Sequence, residues 1–98
     1  RVIYGVSKAG LNGLSKSIAA EYGNKNILAN SVSPGFTQTE LTKKTNTQKE
    51  IEEIAEKIPL KRLASPHEIA KTVEFLASEN NTYITGQNII VDGGFTSI

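Results

Sequence analysis

The chain has 98 residues, a formal net charge of +1 and 38% hydrophobic residues, which suits one globular domain or part of one. The near-neutral balance gives no electrostatic footprint for nucleic acid or an anionic membrane, and no apolar run approaches the ~18 residues that a membrane span needs. Cysteine is absent and histidine occurs once, which excludes disulfides and thiolate chemistry and leaves no metal site to expect.

In chain order, Leu11, Leu14, Ile18 and Tyr22 recur at helical spacing from Tyr4 onward, and Gly23-Asn24 supply a stop. At about 100° per residue, Tyr4, Lys8, Leu11, Ser15, Ile18 and Tyr22 fall within roughly 80° of one another. They form the expected buried stripe of this helix. Ile27 to Ser33 reads as a short strand closed by Pro34-Gly35, with Ala29 and Asn30 pointing to tight packing on both faces. Residues 36–48 are polar and threonine-rich without a core-building period, so a loop is expected there. Ile51, Ile54 and Ile58 then recur at helical spacing. Thr47 and Glu50 make a capping box before them, and Pro59 stops this second helix.

A third helix follows the Ser65-Pro66-His67-Glu68 start, with Ser65 as N-cap, Pro66 in the first helical position and Glu68 closing the box. Ile69, Val73 and Leu76 form its stripe, and Asn80-Asn81 end it. After a turn-rich link, Asn88 to Val91 reads as a buried strand halted by Asp92-Gly93-Gly94. A strand–helix–strand crossover of this length implies a parallel sheet, hence an α/β fold. Two strands and about three helices are too little for such a sheet, which needs cover on both faces. Together with the absence of methionine, this makes the chain the expected C-terminal part of an α/β domain. The stripe from Tyr4 to Tyr22 is then expected to lack neighbours within the 98 residues.

Tyr4 and Lys8 lie one helical turn apart, so both side chains share a face. A tyrosine, with a reference pKa of ~10, is a poor base at neutral pH; a nearby ammonium favours the phenolate. Such a pair in a pocket can move a proton to or from a substrate oxygen. The plainer alternative is an amphipathic pair with the lysine extended to water. Pro34, Gly35, Thr37 and Thr39 follow the first strand. Ligands of open α/β sheets bind outside the carboxyl ends of strands, so this turn offers amides and hydroxyls to a ligand, or is a plain strand-ending turn. The polar run from Thr37 to Thr47 is a lid or a solvated loop. His67 is expected to face solvent.

Taken together, these segments resemble the short-chain dehydrogenase/reductase family. Tyr4-x-x-x-Lys8 in "YGVSKAG" is similar to its active-site motif, and "ILANSVSPGFTQTEL" to its strand and Pro-Gly loop. "IPLKRLASPHEIAKTVEFLAS" and "YITGQNIIVDGG" resemble its later segments. The likeness covers essentially the whole chain and is strongest to the classical branch that includes 3-oxoacyl-acyl-carrier-protein reductases. It implies a Rossmann-like doubly wound parallel sheet, of which residues 1–98 would be the C-terminal part, without the N-terminal glycine-rich half. It implies an oxidoreductase that interconverts a carbonyl and a secondary alcohol with NAD or NADP. Tyr4 would be the catalytic acid or base and Lys8 its assistant and a ribose partner. Tyr4, Lys8, Pro34, Gly35, Thr37 and Thr39 would contact the cofactor, with the Thr37 backbone on the nicotinamide carboxamide.

The family's glycine-rich loop, catalytic serine and asparagine precede the tyrosine and have no counterpart in these residues. The resemblance further implies a small-molecule or carrier-bound substrate, a homodimer or homotetramer, a cytoplasmic location, and no nucleic-acid or membrane partner. Two other readings stand beside it: an epimerase or dehydratase of the extended branch, and a non-catalytic relative. The Val91-Asp92-Gly93-Gly94 ending argues against the first, and the presence of both Tyr4 and Lys8 against the second.

Overall fold

The computed structural model describes residues 1–97. Its elements run α1 (Val2–Tyr22), β1 (Ser31–Pro34), α2 (Glu40–Thr45), α3 (Gln48–Lys57), α4 (Pro66–Ala77) and β2 (Asn88–Val91), with 3₁₀ turns at Gly23–Lys25 and Phe95–Ser97. The strands pair in parallel, because Ser31 N–H donates to Gln87 O and Gly35 N–H to Val91 O, each at 2.9 Å. The chain divides into two compact units, Arg1–Val32 with Phe75–Ile89, and Ser33–Glu74 with Ile90–Ile98.

In the first unit, α1 is held by polar contacts. The Ser31 hydroxyl donates to Asn12 Oδ1 at 2.8 Å, and Lys16 Nζ donates to Gly86 O at 3.2 Å. Ser15 is the buried residue of the helix, and its hydroxyl donates back to Leu11 O at 3.2 Å. The covered face therefore runs through Lys8, Asn12, Ser15, Ile18 and Ala19. Of the expected stripe, Lys8, Ser15 and Ile18 lie on this face, while Tyr4 is 65% exposed and Leu11 51%, in line with the expected lack of neighbours within the 98 residues. The apolar side of α1 is left largely exposed among the described residues, while Asn12 and Lys16 make its hydrogen bonds to the rest of the unit. The helix stops at Gly23 as expected. Gly23 stays right-handed, and Asn26 turns the chain at φ 59 while its N–H donates to Gly23 O at 2.9 Å.

β1 is shorter at its start than the pattern from Ile27 suggests. Before Ser31, side chains take over the ladder: Ala29 N–H donates to Thr85 Oγ1 at 3.0 Å, and the Asn30 carboxamide bridges Ile84 O and Gln87 N–H at 2.9 and 3.0 Å. Asn81, 6% exposed, is satisfied in the same way, donating to Leu76 O and Ile84 O and accepting from Ile84 N–H.

The second unit has its own small core. Ile51, Ile58 and Leu63 are buried, with Ile54, Ala55 and Phe95 packed around them. Burying a side chain such as Ile58 contributes ~1.5–3 kcal/mol. The α3 capping box is present as expected, Glu50 N–H donating to Thr47 Oγ1 and Thr47 N–H to Glu50 Oε1. After β2 the chain turns through Gly93 at φ 64, where a Cβ would lie 2.9 Å from Ile58 Cγ2. The turn needs glycine both for its left-handed backbone and for its approach to the core. A further correction concerns residues 36–48. Instead of an unbroken loop they contain α2, which raises the helix count from about three to four. Thr39 caps α2, Glu40 sits in its first turn and Lys43 and Lys44 in its last, which suits the helix dipole without any apolar stripe.

Candidate active site

Tyr4 and Lys8 sit on α1 in the first unit, and helical geometry places them on one face, a turn apart. The Tyr4 phenol is largely exposed, while Lys8 is half-buried beside the covered face. The Lys8 ammonium makes no hydrogen bond or ion pair among the described residues. Helix spacing thus puts an exposed phenol one turn from a cation that has no partner among the described residues.

Pro34, Gly35, Thr37 and Thr39 all belong to the second unit, at and after the carboxyl end of β1. Gly35 is in contact with the chain's own backbone. A Cβ there would fall 2.7 Å from Asp92 Cβ and 2.8 Å from Asp92 Cα. Thr37 forms an isolated parallel bridge with Ala64: Ala64 N–H donates to Phe36 O at 3.0 Å, and Gln38 N–H to Ala64 O at 2.8 Å. In a parallel bridge the residue between those two bonds turns its own peptide groups the other way. The Thr37 carbonyl accepts from Thr42 Oγ1 at 2.9 Å, and its hydroxyl donates to Gly35 O at 3.0 Å. The Thr37 N–H has no partner among the described residues. It is a free donor at the end of a parallel strand. The Thr39 hydroxyl accepts from Thr42 N–H at 3.2 Å as the α2 cap, so its acceptor capacity is partly committed.

The sequence reading missed what stands behind Thr37. The Arg62 guanidinium donates to both oxygens of Glu68, Nη1 to Oε1 at 2.7 Å and Nη2 to Oε2 at 2.8 Å. Glu68 Oε1 also accepts from Ser65 N–H at 2.9 Å, completing the α4 box with Glu68 N–H to Ser65 Oγ at 3.2 Å. The Arg62 fork, and after it the Ser65 N–H, hold the Glu68 carboxyl down to about 2. The capping spacing marked Glu68 in sequence; nothing local marked its pairing with Arg62. Asp92 is likewise lowered from the usual carboxylate range, first by the Thr96 hydroxyl and then by the Thr96 N–H. His67 is exposed. Among the described residues no group of three metal-ligating side chains converges, and no helix is long and apolar enough to cross a membrane.

The comparisons agree with one another. A sequence model of the enoyl-(acyl carrier protein) reductase family matches residues 1–96. The 3-oxoacyl-(acyl-carrier-protein) reductase FabG of Chlamydia trachomatis serovar D is 46% identical over 91 residues, covering 93% of this chain and 36% of that protein. Nodulation protein G of Rhizobium meliloti is 44% identical over 95 residues, covering 97% of this chain and 38% of that protein. Among solved structures, 4-hydroxyisoleucine dehydrogenase complexed with NADH superposes with a TM-score of 0.89 at 37% identity, over 100% of this chain and 41% of that one. ElxO with NADP bound gives 0.89 at 35% identity, over 99% of this chain and 40% of that one. The chain thus spans well under half the length of the relatives it matches.

Proposed function

The chain belongs to the short-chain dehydrogenase/reductase family, and we propose from that premise that it supplies the nicotinamide-end half of an NAD(P)-dependent oxidoreductase. The reaction is the interconversion of a carbonyl and a secondary alcohol. The observation that carries the proposal is the placement on α1, one turn apart, of an exposed Tyr4 phenol and a Lys8 ammonium that has no partner among the described residues.

The residues fit a nicotinamide cofactor. Lys8 and the Thr37 N–H are both donors without a protein partner among the described residues, and the ribose hydroxyls and carboxamide oxygen of NAD(P) are acceptors. The cofactor, when bound, supplies or takes up the hydride. In reduction the Tyr4 hydroxyl gives its proton to the substrate oxygen as charge develops there, and in oxidation the Tyr4 phenolate takes the proton back. Lys8 stabilises the phenolate by its charge and holds the ribose. Thr37 N–H donates to the carboxamide, Pro34 and Gly35 set where the chain leaves β1, and the Thr39 hydroxyl reaches the cofactor by exchanging the bond it gives to Thr42 Oγ1.

On this reading residues 1–98 are the C-terminal part of one Rossmann domain, in a cytoplasmic homodimer or homotetramer. The relatives named as 3-oxoacyl-(acyl-carrier-protein) reductases favour a 3-oxoacyl thioester as substrate. The test is to follow nicotinamide absorbance when the complete protein meets NADH or NADPH and a panel of 3-oxoacyl thioesters and simple ketones. Consumption of reduced cofactor with formation of the matching alcohol is expected. No turnover with any member in either direction contradicts the proposal.

A further inference from the structure

The bridge of residues 36–38 to Ala64 turns the Thr37 N–H away from Ala64, and that bridge is a single isolated pair of hydrogen bonds. It has no ladder on either side to hold it in register. The Thr37 carbonyl and hydroxyl are held locally by Thr42 and Gly35, so across the bridge it is what fixes Ala64 that sets where the Thr37 amide points. On one side Leu63 is buried in the core of the second unit. On the other the chain is pinned by charge. Arg62 Nη1 donates to Leu63 O at 3.3 Å, the guanidinium forks onto Glu68, and Glu68 Oε1 accepts from Ser65 N–H. The peptide groups on both sides of Ala64 are thus tied to one ion pair.

We infer that Arg62 and Glu68 are positioning residues for the Thr37 amide, and through it for the nicotinamide end of the cofactor. The inference rests on the function proposed above. An exposed ion pair of this kind contributes little to stability on its own, since solvent screens it and two long side chains must be ordered. A bidentate guanidinium–carboxylate pair is instead a geometric device: its two parallel bonds fix direction as well as distance. Here both members also bind main chain, Arg62 at Leu63 and Glu68 at Ser65, so the direction is passed to the backbone that Thr37 pairs with.

The test compares two ligands in the complete protein by calorimetry: the reduced dinucleotide that the wild type binds, and the matching ADP-ribose, which lacks the nicotinamide. Arg62→Met is expected to weaken the dinucleotide about tenfold while ADP-ribose stays within about twofold, because only the first uses the Thr37 amide. Glu68→Gln keeps an acceptor for Ser65 N–H and one bond from Arg62, so it should show the same selective loss by a smaller factor. It also serves if Arg62→Met does not fold. Arg62→Lys should recover part of the loss. Equal weakening of both ligands, or no change in either, overturns the inference and leaves the proposed function standing. A wild type that binds neither ligand overturns the function, and the inference with it.

Discussion

Asp92 occupies the space that any side chain at Gly35 would need, with its Cβ 2.7 Å from where a Gly35 Cβ would stand. The contact lies where β1 and β2 both end, and Gly35 N–H donates to Val91 O at 2.9 Å beside it. Both atoms that a new methyl would strike are close to the main chain, so neither can swing away.

Gly35→Ala is therefore expected to destabilise the protein by ~1–3 kcal/mol, as overpacking does. Urea unfolding of the complete protein measures this. A midpoint equal to that of the wild type would mean that the approach of Gly35 to Asp92 is looser than the structure has it.

The Glu68 carboxyl, ordinarily near 4.5, is held down to about 2. A depressed carboxylate contributes its stability in full above its unfolded value and loses it as pH falls through the folded one. The window for Glu68 thus runs from about 4.5 down to about 2. The carbon-13 carboxyl resonance of Glu68 should titrate at the low end of that window, and Arg62→Met should raise its midpoint. A wild-type midpoint in the ordinary carboxylate range contradicts the fork.

Much of the fold was legible because its signals are local. Thr47 with Glu50 and Ser65 with Glu68 are capping boxes at fixed spacing, and both form as that spacing requires. α2 was not legible from periodicity, because a helix of six residues held by the Thr39 cap and terminal charges has no stripe to show. The face of α1 was legible in part: Lys8, Ser15 and Ile18 of its stripe are covered, while Tyr4 and Leu11 are left exposed. Periodicity reports which side of a helix is apolar, not whether the chain contains anything to cover it, and Asn12 and Lys16 proved to be the contacts.

At the site, Tyr4 and Lys8 stood out by spacing on a single helix. The bridge from Thr37 to Ala64 and the space that Asp92 takes from Gly35 join residues far apart in sequence, and no local pattern encodes them. Glycine at 35 is required by the chain itself, because Asp92 fills the place of a Cβ there.

Lys8→Ala is expected to weaken cofactor binding and to slow turnover together, by at least about tenfold each, because in the proposed reaction one ammonium serves both the ribose and the phenolate. Steady-state rates and calorimetry on the complete protein separate the two effects. A variant altered only in solubility would support the alternative in which Lys8 merely extends to water.

The proposed reaction turns on proton transfer by the Tyr4 hydroxyl. The measurement that tests it most directly is turnover of the complete Tyr4→Phe protein beside its affinity for the reduced cofactor. The phenyl ring keeps the shape of α1 and removes only the oxygen. The expected result is a rate lower by ~10²–10⁴-fold with cofactor affinity near that of the wild type. Near-normal turnover in a variant that still binds the cofactor would contradict it.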